Sequence, residues 1–373
     1  MVFFELAMTR RVLVAISLVW GLWPIRAGAE QPRAAVEVLS QTYTIDRLYK
    51  SMQGPQSSQE VRLSDANPPE LLWITGYDAV MVGPDGAAPM PQEFMCHSNL
   101  DLRNVGRHNE LFGARPISSR LFTLSQGQFA IAFPKGFGIP IMSDESLDLT
   151  TQVLNHNVRD ATLQVRHKVT IRYVRDRDAA APMTPLFTVG IYGLALLEEG
   201  KQPYFGVEQP DPAKHGSGCL LGTSATSHTY TDPQGRRFTG HWVVPPGRQV
   251  NRTLVTRLLN LSFDTTIHAI AVHLHPFAEA LELRDLTTNT TVFTSHAENF
   301  HNRIGLTKVD AFANVEGLPL FKDHEYELVS VYNNTSGIDQ DSMAVMLLYL
   351  RDRDFTAPAP AGTPPPQSAP SAP

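Results

Sequence analysis

The sequence predicts an all-β fold: two antiparallel, jelly-roll-like β-sandwich domains packed side by side. Three observations carry that expectation. Short segments with period-two alternation, rich in β-branched and aromatic residues, recur between clusters of Gly, Pro, Asn and Asp. No long amphipathic stretch with a 3.6-residue period stands out. The strand-like part of the chain runs to about 320 residues, more than one ordinary sandwich holds. Of the 373 residues, 42% are hydrophobic and 18% charged, which allows a sizeable core and argues against global disorder. The net charge of −6 and the lack of a long basic run make nucleic acid an unexpected partner.

Taken in order, residues 1–29 have the pattern of a secretory signal. Arg10 and Arg11 precede an apolar segment from Val12 to Trp23, and Ala27-Gly28-Ala29 supplies a small-residue cleavage site, with Met8 as the start. That apolar segment is short of the roughly 20 residues a membrane span needs. The expectation is an exported protein, periplasmic or secreted, with no membrane span after signal cleavage. Residues 30–69 are polar with weak periodicity and are expected to form a lead-in with early strands. Residues 70–185 hold the first sandwich, with alternation in "RLFTLSQGQFAIAF" (Arg120–Phe133) and "LQVRHKVTIRYV" (Leu163–Val174). "RDRDAAAPMTP" and "EEGKQPYFGVEQPDPAKHGSG" then break the pattern and mark the boundary between Tyr173 and Gln209. Residues 186–355 form the second sandwich, with "PLFTVGIYGLALL", "HAIAVHLH", "ALELRDL", "TTVFTS", "YELVSVYN" and "MAVMLLYL" as strands. Residues 356–373 are a Pro/Ala-rich tail, expected to be disordered.

The chemistry-bearing residues start with "AVHLHPFAEALEL" (Ala271–Leu283). His273 and His275 are one residue apart, so on a strand both side chains leave the same face. They are either two core histidines or two ligands of one ion; imidazole suits copper and zinc. Met343, after the polar loop "GIDQDS", is either core filler or a third ligand, and a thioether beside two imidazoles favours copper. Met346, three residues on, faces the other side of the strand. "HAENFHN" (His296–Asn302) is expected to be an exposed polar loop. The chain has two cysteines, Cys96 and Cys219. A bridge between them, two free thiols, or one thiol serving as a ligand all remain open.

The order "VHLHP", then "DSMAVMLLYL" near the end, resembles the second domain of the copper type II, ascorbate-dependent monooxygenases, the family of peptidylglycine α-hydroxylating and dopamine β-monooxygenases. "VVPPGRQV" (Val243–Val250) is similar to a Pro-Pro-Gly turn of that family, and "FPKGFGIPI" (Phe133–Ile141) to its Lys-Gly-x-Gly segment. The resemblance covers roughly residues 70–352. It implies a catalytic copper on His273, His275 and Met343. It also implies an electron-transfer copper on His97 and His156, with Cys96 where the family has a second adjacent histidine. Neighbouring residues on a regular strand face opposite ways, so Cys96 and His97 can share an ion only on a bulged strand. His108 and His167 are reserve ligands. The alternative at the first site is that Cys96 is structural and the site incomplete.

What the resemblance implies is hydroxylation of a C–H bond of a small substrate with O2, two copper ions or one, and ascorbate or a similar reductant, with substrate between the domains. The family's peptide hydroxylase carries an arginine before its His pair and Asn and Tyr after its methionine; here Ala271, Val345 and Leu347 stand there, so a peptide of the amidated kind is not expected. A non-catalytic copper-binding protein on the same scaffold is the alternative, and a binding module with structural histidines is a third. The oligomeric state is not readable from the sequence.

Overall fold

The computed structural model describes residues 34–51, 53–113, 118–160, 162–197 and 229–358. The signal-like segment, Cys219 and all but the first three residues of the Pro/Ala-rich tail lie outside the described residues. The first half contains β1 (Ala34–Leu39), β2 (Tyr43–Ile45), β3 (Gln56–Val61), β4 (Leu71–Val82), β5 (Met95–Leu102), β6 (Arg120–Ser125), β7 (Ala130–Ala132), β8 (Phe137–Met142), β9 (Leu147–Val153) and β10 (Leu163–Arg175). One helix, α1 (Val105–Phe112), follows β5, and the Asn104 side chain caps it by accepting from the Arg107 amide. The second half contains β11 (Thr184–Tyr192), β12 (Ala195–Leu196), β13 (Thr229–Thr231), β14 (Arg237–Thr239), β15 (Trp242–Val244), β16 (Gly247–Leu254), β17 (Thr265–Leu274), β18 (Ala278–Asp285), β19 (Thr290–Asn299), β20 (Leu306–Val309), β21 (Phe312–Leu320), β22 (Tyr326–Asn334), β23 (Gln340–Ser342) and β24 (Ala344–Arg351).

The fold is all-β and sandwich-like, with two hydrophobic cores among the described residues. A ten-stranded sheet runs β1-β10-β4-β8-β11-β24-β17-β21, with β2 and β7 added on β10 and β4. Over the first half it faces the sheet β3-β9-β5-β6; over the second it is accompanied by β16-β22-β18-β19-β20. Pairing is antiparallel throughout the described ladders except one short parallel contact, where Thr184 and Pro185 of β11 meet Phe137 and Gly138 of β8. That contact stitches the two halves into one sheet. It lies on the Lys135-Gly136-Phe137-Gly138 segment, where Gly136 turns with φ +86° and its carbonyl accepts from the Thr184 amide.

Alternation explains the strands. β10 buries every second residue for most of its length, as "LQVRHKVTIRYV" requires of a strand with one covered face. β17 is different: it is buried on both faces over most of its length, which suits its continuous apolar run. Ala269 and Ala271 join the first core, while Ile270, Val272 and Leu274 join the second. β24 divides likewise, Leu347 and Tyr349 toward the first core and Met346, Leu348 and Leu350 toward the second. One face of the β17–β24 pair therefore packs on the first half, where the Tyr349 hydroxyl donates to the Leu121 carbonyl and the Val272 amide donates to Gln128 Oε1 at 2.8 Å.

The "HAENFHN" segment differs from its sequence-based expectation. His296–Asn299 is the end of β19, not a loop, because Ala297 and Glu298 pair with Val309 and Lys308 of β20. Only the residues after Asn299 leave the ladder, and both histidines are exposed.

Candidate metal centre

His273 and His275 leave β17 on the face turned to the first half, the parity of Ala269 and Ala271. Their rings stand 5.2 Å apart at 90° and are buried. Met343 lies between β23 and β24. The β17–β24 register pairs His273 with Val345 and Leu274 with Ala344, and ends one residue before His275 on one strand and one residue after Met343 on the other. A single phenol ties the two: Tyr332 Oη accepts from the His275 amide and donates to the Met343 carbonyl. Met346 points into the second core, as the spacing predicts.

The structure adds two residues that the sequence reading did not single out. β15 pairs with β23, setting Trp242 against Ser342 and Val243 against Asp341, which carries His241 to the same place. His241 Nε2 and His275 Nδ1 each lie 3.3 Å from Asp341 Oδ2. All three residues are buried, and their donor atoms lie within 4.8 Å of one another. A tetrahedral ion with ligand bonds of about 2.0–2.1 Å keeps its ligand atoms about 3.3–3.4 Å apart. The Asp341 oxygen and His275 Nδ1 have that separation and make no hydrogen bond of acceptable geometry. The group is able to hold a metal ion. His241 stands alone in "TGHWVV" and Asp341 two residues before Met343, so no local spacing links them; only the β15–β23 pairing does.

Ser51 and Cys96 lie beside this group. His275 Nε2 faces Ser51 Oγ at 3.1 Å, and Ser51 Oγ is 3.8 Å from Cys96 Sγ. The β5–β9 register slips between Met95 and His97, so Cys96 sits at a bulge of the kind its sharing an ion with His97 would require. Burial pushes His97 down to about 3, helped by Arg120, His167 and His275. Burial also pushes His156 down to about 4, against an opposing pull from Asp341. His273 is held well below the ordinary imidazole range by burial and then by His275, His97 and His241. Burial alone would raise Asp341, but the facing His275 and His241 outweigh it and keep the carboxyl ionised, well below its usual range. Neutral imidazoles and an ionised carboxylate are the ligand forms of these groups. His156 Nε2 and His273 Nδ1 find no hydrogen-bond partner.

The reserve histidines go elsewhere. His108 on α1 sets Nδ1 3.1 Å from Glu145 Oε1 and stacks near Phe112. His167 is fully buried in β10, its ring 6.0 Å from that of Tyr43. The Lys-Gly-x-Gly-like segment serves packing: the Phe137 ring lies 4.3 Å from that of His268, which sits where the β17 registers slip.

No family model matches the chain, and no curated protein does. Among solved structures, the major capsid protein P2 of bacteriophage PM2 aligns over 86% of this chain and 100% of its own at 8% identity, with a TM-score of 0.32. PNGase F, a glycosylasparaginase from Flavobacterium meningosepticum, aligns over 87% of this chain and 99% of its own at 8% identity, with a TM-score of 0.34. Likeness at that level carries no functional argument.

Proposed function

We propose that the protein is an exported, copper-dependent oxidoreductase of the monooxygenase type, hydroxylating a C–H bond of a small substrate with O2 and a reductant such as ascorbate. The observation that carries this reading is the buried group of His241, His275 and Asp341, with ligand atoms at metal-site spacing. The His273 and His275 rings stand 5.2 Å apart, and Tyr332 ties the His275 amide to the Met343 carbonyl, which supports the two-imidazole and thioether set of the resemblance. The donor set suits copper: imidazole binds it in either oxidation state and thioether favours the reduced one. Bound there, copper would supply the one-electron and O2 chemistry, while the chain supplies geometry and electronics.

The chain's own residues have assignable tasks. Burial keeps His273 and His156 unprotonated near neutral pH, so neither has a proton to lose before an ion is bound. Asp341 offers a negative charge to His241 and His275 in a buried place, which orients both rings and offsets the charge of a cation. Tyr332 fixes the spacing of the His275 and Met343 backbones.

The test is copper content and O2 uptake of purified protein. Copper retained after dialysis, ascorbate-dependent O2 consumption, and loss of both in His275→Ala are the expected results. Protein that takes up no copper would end this reading. A second reading, a copper-binding protein without turnover, is favoured by one observation: His241, His273, His275 and Met343 are each at most 8% exposed. Retained copper with no O2 uptake would select it.

A further inference from the structure

A second concave site is built on the second half, and none of the ligand group of His241, His275 and Asp341 lines it. It is a cleft of about 590 Å³, within the range of small-molecule sites. One side comes from the three-stranded ribbon β12-β14-β13. Tyr230 on β13 pairs with Phe238 on β14, so their side chains share a face, with ring centroids 6.4 Å apart. The other side comes from the end of β16 and the helical turn Thr256–Leu259. There Leu254 lines the cleft and is 68% exposed, so both sides offer apolar surface.

Five charged side chains line the cleft, and ion pairing accounts for three of them. Arg236 meets Asp232 at 2.6 Å, its guanidinium 5.6 Å over the Phe238 ring. Arg252 meets Glu327 at 2.7 Å. Left over are one cation, Arg257, and one anion, Glu325. Among the described residues neither side chain has an ion-pair partner: Arg257 Nη1 reaches the Tyr230 hydroxyl at 3.5 Å, and Glu325 is bonded through its backbone amide. The two come from adjacent backbone segments, because Leu254 pairs with Glu327 and the Tyr326 amide donates to Thr256 Oγ1. Arg257 therefore stands beside the aromatic pair, with Glu325 on the neighbouring segment.

We propose that this cleft binds a free aromatic amino acid. The ring packs on Tyr230 and Phe238, the carboxylate meets Arg257 and the ammonium meets Glu325. Aromatic pairs add to the area they bury, and charge-assisted hydrogen bonds are stronger than neutral ones. One unpaired charge of each sign selects a zwitterion over a simple acid or amine, because either of those leaves one protein charge without its counterpart. A residue inside a peptide carries neither charge, so the class is the free amino acid. The inference goes beyond the proposed function and does not depend on metal binding.

The experiment is calorimetric titration of the full chain with L-phenylalanine and with three compounds that each lack one feature. Phenylpropionate has no ammonium, phenylethylamine no carboxylate and alanine no ring. Phenylalanine should bind saturably, and each of the three at least about tenfold more weakly. Arg257→Gln should weaken phenylalanine about tenfold and leave phenylethylamine unchanged. Glu325→Gln should weaken phenylalanine and leave phenylpropionate unchanged. Both residues are exposed, so the circular dichroism spectrum should not change. No saturable binding of phenylalanine would overturn the proposal. So would equal binding of phenylpropionate or phenylethylamine, or phenylalanine binding unmoved by either substitution. Copper content and O2 uptake do not enter this test, so its failure leaves the proposed function standing.

Discussion

The first core and the candidate metal centre both bury polar side chains, but they treat them in opposite ways. In the first core the Tyr43 hydroxyl meets the hydroxyls of Ser57 and Thr151, and that of Tyr77 meets Ser98. Each phenol there has a partner of matching chemistry, as buried polar groups generally do. At the metal centre His156 Nε2 and His273 Nδ1 have none, and Asp341 stands at 3.3 Å from two rings without a well-formed hydrogen bond to His275. Satisfied buried groups specify packing; unsatisfied ones that converge specify a ligand. His167 sharpens the rule: among the described residues both its nitrogens lack partners, yet no metal-ligand group forms around it. Convergence, not the orphaned atom alone, separates the two regions.

The largest test of this contrast is His275→Ala. It removes the residue that faces Asp341 and Ser51 at once, and bound copper should fall at least tenfold, measured by metal content after dialysis. Retention of native copper content would erase the distinction between the regions.

Acid should separate them next. His97, His156 and His167 are held at about 3, about 4 and about 3, below the 6.5 of an unfolded chain. Below pH 6.5 the unfolded chain takes up protons that the folded one refuses, so stability is full above that value and declines as pH falls. Each such histidine contributes a slope of up to about 1.4 kcal/mol per pH unit. Denaturant melts of metal-free protein at pH 7, 6 and 5 should show a steepening loss. The hydroxyl network of the first core adds nothing over that range. A flat profile from pH 7 to 5 would mean the histidines are wetter than their burial implies.

Asp341→Asn keeps the shape and removes the charge. Copper affinity should drop about 10–100-fold by competition titration, with little change in fold. The smallest expected effects are a matched pair. Tyr332→Phe breaks the bridge between His275 and Met343, and Tyr43→Phe breaks the first-core network. Each should cost about 1–3 kcal/mol in denaturant melts. Only Tyr332→Phe should also alter the EPR spectrum of bound copper.

Much of this was legible in the sequence because period-two spacing is local. The His273 and His275 rings stand together and Met346 turns into the second core, as spacing predicts. The doubly buried β17 was visible as a continuous apolar run. The rest depends on strand pairings that no local pattern encodes. His241 and Asp341 meet only because β15 pairs with β23. The alternation of β1 was muted because even its inward residues are only half-buried. The docking of β17 on the first half uses Gln128 on the Val272 amide, a contact between a polar side chain and a distant backbone group.

The spread of the ligand group along the chain, from His241 to Asp341, has a consequence for the order of events in folding. Contacts between distant segments form late, since the loops that join them must first be closed. A chain in which β15 has not yet paired with β23 does not bring His241 and Asp341 to His275, so it does not assemble the donor set. Tight metal capture would then come late in maturation and would report that the β15–β23 pairing has formed.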